Sequence, residues 1–251
     1  MSHREKSENR RALPKFLLIL LGSLVLGAGL GVLVALADFS GGGEAAARVL
    51  RELLRRIAPW GIPALAAVLG GGGLILYLRA WGRANRWDGE DEEEAEAVEN
   101  LLDWVLLCSS ALLVASFFFF AVGVCFELGL METVLPFILS IALVILLQQK
   151  AVDLTKRMNP EKKGSVYDTK FQKKWYASCD EAERAQIGQA AMTAFRAVNG
   201  VCLGLWLVLV TLGMAVDLGL LPVCLVSLIW GVSQLSYIAA CIRMTHRRVR
   251  E

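Results

Sequence analysis

Long stretches without a charged side chain dominate the hydrophobic pattern of the chain. A bilayer core about 30 Å thick is crossed by about 20 apolar residues in a helix. Five stretches have roughly this length, at 16–37, 60–78, 104–126, 197–216 and 220–242. They predict five transmembrane helices.

A sixth stretch, 132–149, is weaker because its uncharged part is short and contains Pro136. It reaches spanning length only if Glu132 or Gln148 and Gln149 lie near its ends. The loop before it suits only a tight helical hairpin, so we predict a span here as well. The expected fold is all-α: a polytopic membrane helix bundle of about six transmembrane helices in one integral membrane domain, 1–251.

The first stretch also has features of a signal peptide. Arg10, Arg11 and Lys15 precede it, and Ala35-Leu36-Ala37 resembles a cleavage site. The apolar part of a signal peptide runs to about 15 residues, and this stretch is longer. We therefore expect a retained span, with cleavage as the open alternative.

The basic residues indicate the orientation of the bundle. If the N-terminus is inside, 22 Lys and Arg fall on the inner side and only Arg48, Arg51, Arg55 and Arg56 on the outer side. Because cytoplasmic loops carry the excess of Lys and Arg, we predict that both termini are cytoplasmic.

Composition adds that the charges are clustered. The chain of 251 residues is 56% hydrophobic and 20% charged. The stretch 88–99 has eight acidic residues and no basic one, whereas 156–174 has seven basic and two acidic residues. Two separate electrostatic faces of this kind do not suit a nucleic-acid-binding surface, and no direct nucleic-acid binding is expected.

The acidic segment, 88–103, leads directly into the third span and predicts a cytoplasmic helix continuous with it. Such a dense acidic face repels itself and would be more stable beside the basic central loop. The candidate partner-docking face consists of Glu92, Glu93, Glu94 and Glu96.

The central loop, 150–196, interleaves aromatic and basic residues, a mixture that suits the headgroup region of a membrane. Ser178 and Glu181 match a capping box, which predicts a helix from about Cys179 running unbroken into the fifth span. The candidate interaction or lipid-facing residues are Lys162, Lys163, Lys170, Phe171, Lys173, Lys174 and Trp175.

Between the first two spans, 44–57 has apolar residues at helical spacing with arginines opposite. This pattern predicts an amphipathic helix on the outer membrane surface. It would contact lipid headgroups or an external ligand, or act only as a solvated linker.

The last four spans contain a repeated motif. Gly123-Val-Cys-Phe-Glu127-Leu-Gly-Leu130 parallels Gly213-Met-Ala-Val-Asp217-Leu-Gly-Leu220. The likeness indicates either two hairpins related by duplication or the same favourable tight turn used twice.

Four consecutive glycines lie in the middle of the second span: Gly70, Gly71, Gly72 and Gly73. Glycine weakens a helix by about 1 kcal/mol per residue relative to alanine, so this run is a candidate helix break. Broken helices mark substrate sites in many transporters, but small residues also let helices pack closely.

No catalytic signature is present. The chain has no GxxxxGK[ST], HExxH or GxSxG motif, and none of its spans has a charge in the central portion. Its six cysteines include no CxxC pair. We predict no enzyme activity, no cofactor and no metal site.

The central loop resembles a known family. Asn159-Pro-Glu-Lys-Lys-Gly164, Asp168-x-Lys170-Phe-Gln-Lys-Lys-Trp175 and Ser178-Cys-Asp-Glu-Ala-Glu183 are similar to an uncharacterised bacterial family of multi-span membrane proteins, domain of unknown function three-one-six-nine. The resemblance covers nearly the whole chain, and only the loop is distinctive. It implies a multi-pass protein of the plasma membrane and no particular activity.

Two functions are therefore expected. The first is a non-enzymatic membrane scaffold or sensor that docks a cytoplasmic partner or anionic lipid. Its candidate partners are membrane lipids, a cytoplasmic regulator or ATPase, and a second copy of the chain. The alternative is a small transporter or permease subunit with its substrate site at the glycine run of the second span.

Overall fold

The computed structural model describes residues 42–213 and 219–248. Helices joined by short non-helical segments make up this part of the chain, and it contains no β-strand. The helices are α1 (Gly42–Leu65), α2 (Gly71–Ala84), α3 (Glu92–Cys125), α4 (Leu130–Met158), α5 (Phe171–Ala177), α6 (Glu181–Gly213) and α7 (Leu221–Arg248). A π-helical turn, Ala66–Gly70, joins α1 to α2. The all-helical prediction is confirmed for this part of the chain.

Five helical segments are long and apolar enough to cross a membrane. They are Arg48–Ala84, Glu92–Cys125, Leu130–Met158, Glu181–Gly213 and Leu221–Met244. Each contains all or most of one predicted span, which supports a membrane protein. The first predicted span, 16–37, and both chain termini lie outside the described residues, so the count of six and the orientation stay predictions.

The predicted surface helix, 44–57, is not a separate element. Its residues form the beginning of a helix that passes through Pro59 and Pro63 and continues to Ala84. No helix boundary is found near Trp60, because helical backbone runs from Gly42 through the π-helical turn into α2. The apolar side chains at 49, 50, 53 and 57 are exposed.

Helix α3 confirms that the acidic segment is continuous with a span. Asp91 is its N-cap, and the Asp91 carboxylate accepts a hydrogen bond from the backbone N–H of Glu94 at 3.2 Å. The acidic residues at 92–94 stand at the positive end of the helix dipole. These local effects let one 34-residue helix begin in a charged segment and end at Cys125.

Helix α4 contains the weakest predicted span. It begins after Gly129, passes through Pro136 and ends at Met158, before Asn159-Pro160. The structure therefore extends this span to a 29-residue helix. The extension adds two residues before Glu132 and nine after Gln149, among them Lys150, Asp153, Lys156 and Arg157.

The described residues fall into two units, of which one is 50–186. In this unit α2, α3 and α4 pack on one another, and the Ser116 and Ser140 hydroxyls form a buried hydrogen bond of 2.7 Å between α3 and α4. Ser109 instead donates to Leu106 O of its own helix. A hydrophobic core lies where α2, α3 and α4 meet. It consists of Ala80, Ala84, Val98, Leu102, Val105, Leu147, Ala151, Leu154 and Met158.

The other unit includes α6 from Ile187 onward and α7. Gln234 Nε2 donates to Asn199 Oδ1 at 3.0 Å and so joins α7 to α6. The rings of Phe195 and Tyr237 stack with centroids 4.6 Å apart. Among the described side chains between 221 and 244, none is buried.

Candidate functional site

The end of α2, the start of α3 and the end of α4 meet at one end of the first unit, which we call the charged end. Arg157 Nη1 donates to Asn85 Oδ1 at 2.6 Å, and Asn159 Nδ2 donates to Glu99 Oε1 at 3.0 Å. Arg83 and Glu94 form an ion pair with a nitrogen–oxygen distance of 3.7 Å. These contacts fix the three helices relative to one another where the polar segments begin.

Three of the four predicted docking acids are exposed at this end. Glu92, Glu93 and Glu96 point outward, whereas Glu94 is half-buried and paired with Arg83 of α2. The acidic segment was expected to lie beside the loop lysines. Among residues 42–213 and 219–248, however, no ion pair joins the acidic segment to the loop lysines. The loop lysines that are paired bind acids of the central loop, 150–196, itself.

The segment 159–180, which we call the loop, is folded around a buried lysine. Lys162 is 8% exposed, and its ammonium donates to the Glu183 carboxylate in the first turn of α6. Burial alone would lower the pKa of Lys162, but the hydrogen bond and charge of Glu183 raise it. Lys162 is one of the candidate interaction or lipid-facing residues, and the structure places its ammonium group inside the fold, on Glu183.

Glu183 also caps the helix that it begins. Asp180 Oδ1 accepts from the Glu183 backbone N–H at 2.8 Å, and Glu183 Oε2 accepts from the Asp180 N–H at 2.9 Å. This reciprocal pair is a capping box with Asp180 as the N-cap. The predicted box of Ser178 and Glu181 is two residues too early, because the Ser178 hydroxyl donates to Trp175 O and accepts from Lys163 N instead.

A glutamine of α4 ties the loop to the helix bundle. The Gln149 side-chain oxygen accepts a hydrogen bond from Val166 N at 3.2 Å. Near this contact Gly164 has a φ of 134°, and a Cβ there would lie 2.8 Å from Phe171 Cδ2. Glycine is required at this position both for the backbone conformation and for the approach of the ring.

The lysines and aromatic rings of the loop divide into buried and exposed groups. Phe171 and Trp175 are half-buried and pack on each other with centroids 5.5 Å apart, so neither ring projects freely toward a membrane. Lys174 donates to Asp168 Oδ2 at 2.5 Å, and this bond lowers the pKa of Asp168. Lys163, Lys170 and Lys173 are exposed, and no ion pair between described residues involves them.

Arg184, in the first turn of α6, is a structural residue that sequence reasoning missed. Its guanidinium donates to Tyr176 O at 3.2 Å and to Ala177 O at 3.0 Å, and it lies 5.6 Å from the centroid of the Tyr176 ring. The only sequence signal for this contact is an arginine in the first turn of the helix that follows the short helix α5. It closes the end of α5, whose last carbonyls lack helical partners.

The four glycines of the second span lie in continuous helix, so the predicted break is not found. A Cβ on Gly70 would lie 2.5 Å from Leu143 Cδ2, and one on Gly73 would lie 3.4 Å from Leu147 Cδ1. A Cβ on Gly71 or Gly72 would meet nothing within 4 Å. Two of the glycines therefore allow close packing against α4, and the helix widens in the π turn, which ends at the first of the four, Gly70.

The site offers binding groups rather than reactive ones. Within residues 42–213 and 219–248, no group of three His, Cys, Asp or Glu side chains is placed to hold a metal ion. Burial raises the pKa of the Cys179 thiol, which makes a thiolate less available. The exposed lysines and glutamates are suited to electrostatic contact with a partner or a lipid surface.

Comparison with protein-family models, with curated proteins and with solved structures found no match. The resemblance of the loop to the three-one-six-nine family stays a prediction.

Proposed function

We propose that this protein is a non-enzymatic membrane scaffold or sensor whose charged end docks a cytoplasmic partner or the anionic lipid surface. The expected setting is the plasma membrane, with both termini in the cytoplasm. The single observation that carries the proposal is the fold of the loop, whose exposed lysines stand on a rigid support.

The support comes from contacts on both sides of the loop. Lys162 binds Glu183 at the start of α6, and Gln149 of α4 binds the backbone at Val166. Holding Lys163, Lys170 and Lys173 in fixed positions lowers the entropy that a partner must remove on binding. A disordered basic linker would lack this advantage.

A second exposed charge pattern lies at the start of α3. Glu92, Glu93 and Glu96 are of opposite sign to the loop lysines and belong to the same unit. A protein partner with both basic and acidic regions could use both patterns, whereas an anionic membrane could use only the lysines. Candidate partners are a regulator, an ATPase or a second copy of the chain.

The test is a crosslinking pull-down from native membranes with the full-length protein. We would compare wild type with Glu92→Gln/Glu93→Gln/Glu96→Gln and with Lys163→Glu/Lys170→Glu/Lys173→Glu. The matched control is Arg51→Glu/Arg55→Glu, which reverses exposed charges near the other end of the helix that ends at Ala84.

A regulator or ATPase captured by wild type and the control, but lost from either variant, would support the proposal and identify the face. Crosslinked anionic lipid lost only from the lysine variant would support the lipid reading. Identical capture by all four proteins would contradict the proposal, because neither charged face would then contribute.

The transporter alternative has one observation in its favour. The π turn Ala66–Gly70 lies in the middle of a span, and such turns frequently occur at functional sites. A transported ligand would need a water-filled path, so Gly71→Cys in a cysteine-free background should react with a membrane-impermeant thiol reagent. No reaction is expected if Gly71 faces lipid or packed side chains.

A further inference from the structure

An open groove of about 900 Å³ lies between α2 and α3 at the charged end. Gly82 of α2 and Ala97 of α3 supply small residues to its walls, and a Cβ on Gly82 would meet nothing within 4 Å. The groove is therefore open space that the packing of the two helices does not fill.

One wall of the groove is basic. Arg79 and Arg83 lie about one turn apart on α2, Arg86 lies in the turn directly after its end, and all three line the groove. Arg83 pairs with Glu94, and Arg86 donates through Nε to Gly82 O at 3.2 Å. Arg79 is exposed and has no hydrogen bond or ion pair with any described residue.

The other part of the groove is apolar. Leu76 and Leu78 of α2 and Leu101 and Trp104 of α3 line it, and Trp104 is 54% exposed. An exposed indole beside arginines is typical of the level where lipid headgroups meet acyl chains.

The groove lies at the membrane boundary of both helices. The stretch 57–78 has no charged residue, and Arg79 is the first charge after it. On α3 the uncharged stretch begins at Trp104, directly after Asp103. Arg79 and Trp104 both line the groove, so the two boundaries, assigned from two different helices, coincide there.

We propose that this groove binds the headgroup of an anionic phospholipid, with its phosphate on Arg79 and Arg86 and its acyl chains along the apolar part. A water-soluble anion would leave the apolar part uncovered, and an acyl chain alone would leave the arginines without a counter-charge. Among the described residues, a carboxylate partner is found for one of the groove's arginines, Arg83, which pairs with Glu94. This adds a defined lipid site to the proposed scaffold and does not depend on docking by the loop lysines.

The test measures lipid binding to the purified full-length protein by native mass spectrometry, with phosphatidylglycerol and phosphatidylcholine as probes. Wild type should bind phosphatidylglycerol more tightly. Arg79→Gln/Arg86→Gln should weaken phosphatidylglycerol binding by about tenfold and remove the preference. Arg196→Gln/Arg243→Gln, which removes two exposed arginines that do not line the groove, is the matched control and should bind as wild type does.

A second pair of variants keeps every charge and so protects the test against misfolding of the arginine variant. Gly82→Leu places a side chain in the groove and should reduce phosphatidylglycerol binding severalfold, whereas Gly72→Leu, also open at its Cβ, should not. The thermal unfolding midpoint of each variant would establish that it folds.

Four results would overturn the proposal. The first is equal binding of the two lipids by wild type. The second is unchanged phosphatidylglycerol binding in both Arg79→Gln/Arg86→Gln and Gly82→Leu. The third is an arginine-dependent dimer in place of bound lipid, which would show that the groove receives the acidic segment of a second copy. Complete displacement by inorganic phosphate would likewise assign the site to a soluble anion. Failure here would leave the pull-down result for the loop lysines intact.

Discussion

The hairpins α3–α4 and α6–α7 contain the same sequence motif. In both hairpins the motif lies at the same position relative to the helices. Gly213 follows Gly123 by 90 positions, and helix bounds shifted by 90 agree closely: Leu130–Met158 corresponds to Leu221–Arg248. The packed faces agree too. Leu102, Val105, Ser109, Leu112 and Ser116 are buried in α3, and Met192, Phe195, Asn199, Cys202 and Trp206, each 90 later, are buried or half-buried in α6.

The two hairpins differ in how their turns are made. In the first, Glu127 takes the left-handed conformation with a φ of 55°, and Gly129 has a φ of −64°. In the second, the corresponding glycine, Gly219, has a φ of 65°, while Asp217 lies outside the described residues. The repeated motif therefore indicates two hairpins of equal register without specifying one turn conformation, and duplication stays a hypothesis.

They differ further in what holds the helices together. The first hairpin has a buried Ser116–Ser140 bond and is packed against α2. In the second, the corresponding positions are Trp206 and Trp230, and the helices are joined at Asn199–Gln234 and Phe195–Tyr237. The comparison teaches that one register can be stabilised by close packing or by a few specific contacts.

The largest expected effect comes from the glycine that opens the motif. A Cβ on Gly123 would lie 2.7 Å from Thr133 Cγ2, whereas a Cβ on Gly213 would meet nothing within 4 Å. Gly123→Leu should lower the free energy of unfolding by about 3 kcal/mol through overpacking. Gly213→Leu, the matched control, should change it by less than about 0.5 kcal/mol. Unfolding in mixed detergent micelles measures the change in free energy for both variants. Equal changes would contradict the inference that the first hairpin is closely packed at this glycine and the second is not.

The next effect concerns the loop that follows the first hairpin. Lys162→Met would leave the Glu183 carboxylate without its ammonium partner and should loosen the loop by about 1.5 kcal/mol. The value is below that of a fully buried pair because the Glu183 side chain is 37% exposed. Lys163→Met, an exposed neighbour, is the control. Hydrogen exchange at Lys163 and Val166 amides would report the change, and equal exchange in the two variants would contradict it.

A smaller effect separates the two polar pairs. Double-mutant cycles with Ser116→Ala/Ser140→Ala and Asn199→Ala/Gln234→Ala should give coupling energies of about 0.6 kcal/mol or more. The Asn–Gln coupling should be the larger, because a serine left alone can bond to its own helix, as Ser109 does. A larger coupling energy for the serine pair would contradict our interpretation that the second hairpin relies more on specific polar contacts than the first.

The helices were predictable because the signals that form them are local. An apolar run of bilayer length identifies a span without knowledge of its neighbours, and this worked even for the stretch containing Pro136. The continuity of the acidic segment with α3 followed from an unbroken run of helix-forming residues.

The loop was only partly predictable because its contacts are tertiary. Ser178 and Asp180 both match an N-cap pattern, and the choice depends on Lys163 N and Trp175 O occupying the Ser178 hydroxyl. The burial of Lys162 depends on Glu183, 21 residues later. The groove between α2 and α3 arises from two segments that are adjacent only in space.

The smallest effect is the pH dependence, which should distinguish the loop from both hairpins. The hydrogen bond from Lys174 lowers the pKa of Asp168, as does the bond from Lys170 N at 2.8 Å. A carboxyl whose pKa is lowered on folding contributes stability above its ordinary value, about 3.9, and loses it as the pH falls through the folded value. The raised pKa of Lys162 acts only at the alkaline end, where its contribution is lost above the ordinary value of about 10.5.

Acidification from pH 6 to pH 3 should therefore increase hydrogen exchange at the Lys170 amide, after correction for the intrinsic rate. The pairs Ser116–Ser140 and Asn199–Gln234 contain no titrating group, so amides beside these two pairs should stay protected over the same range. Asp168→Asn removes the charge of the ion pair and should give faster exchange at pH 6 with a weaker response to acid. An acid response that persists unchanged in Asp168→Asn would place the sensitivity elsewhere, because no carboxyl at 168 would then remain to titrate.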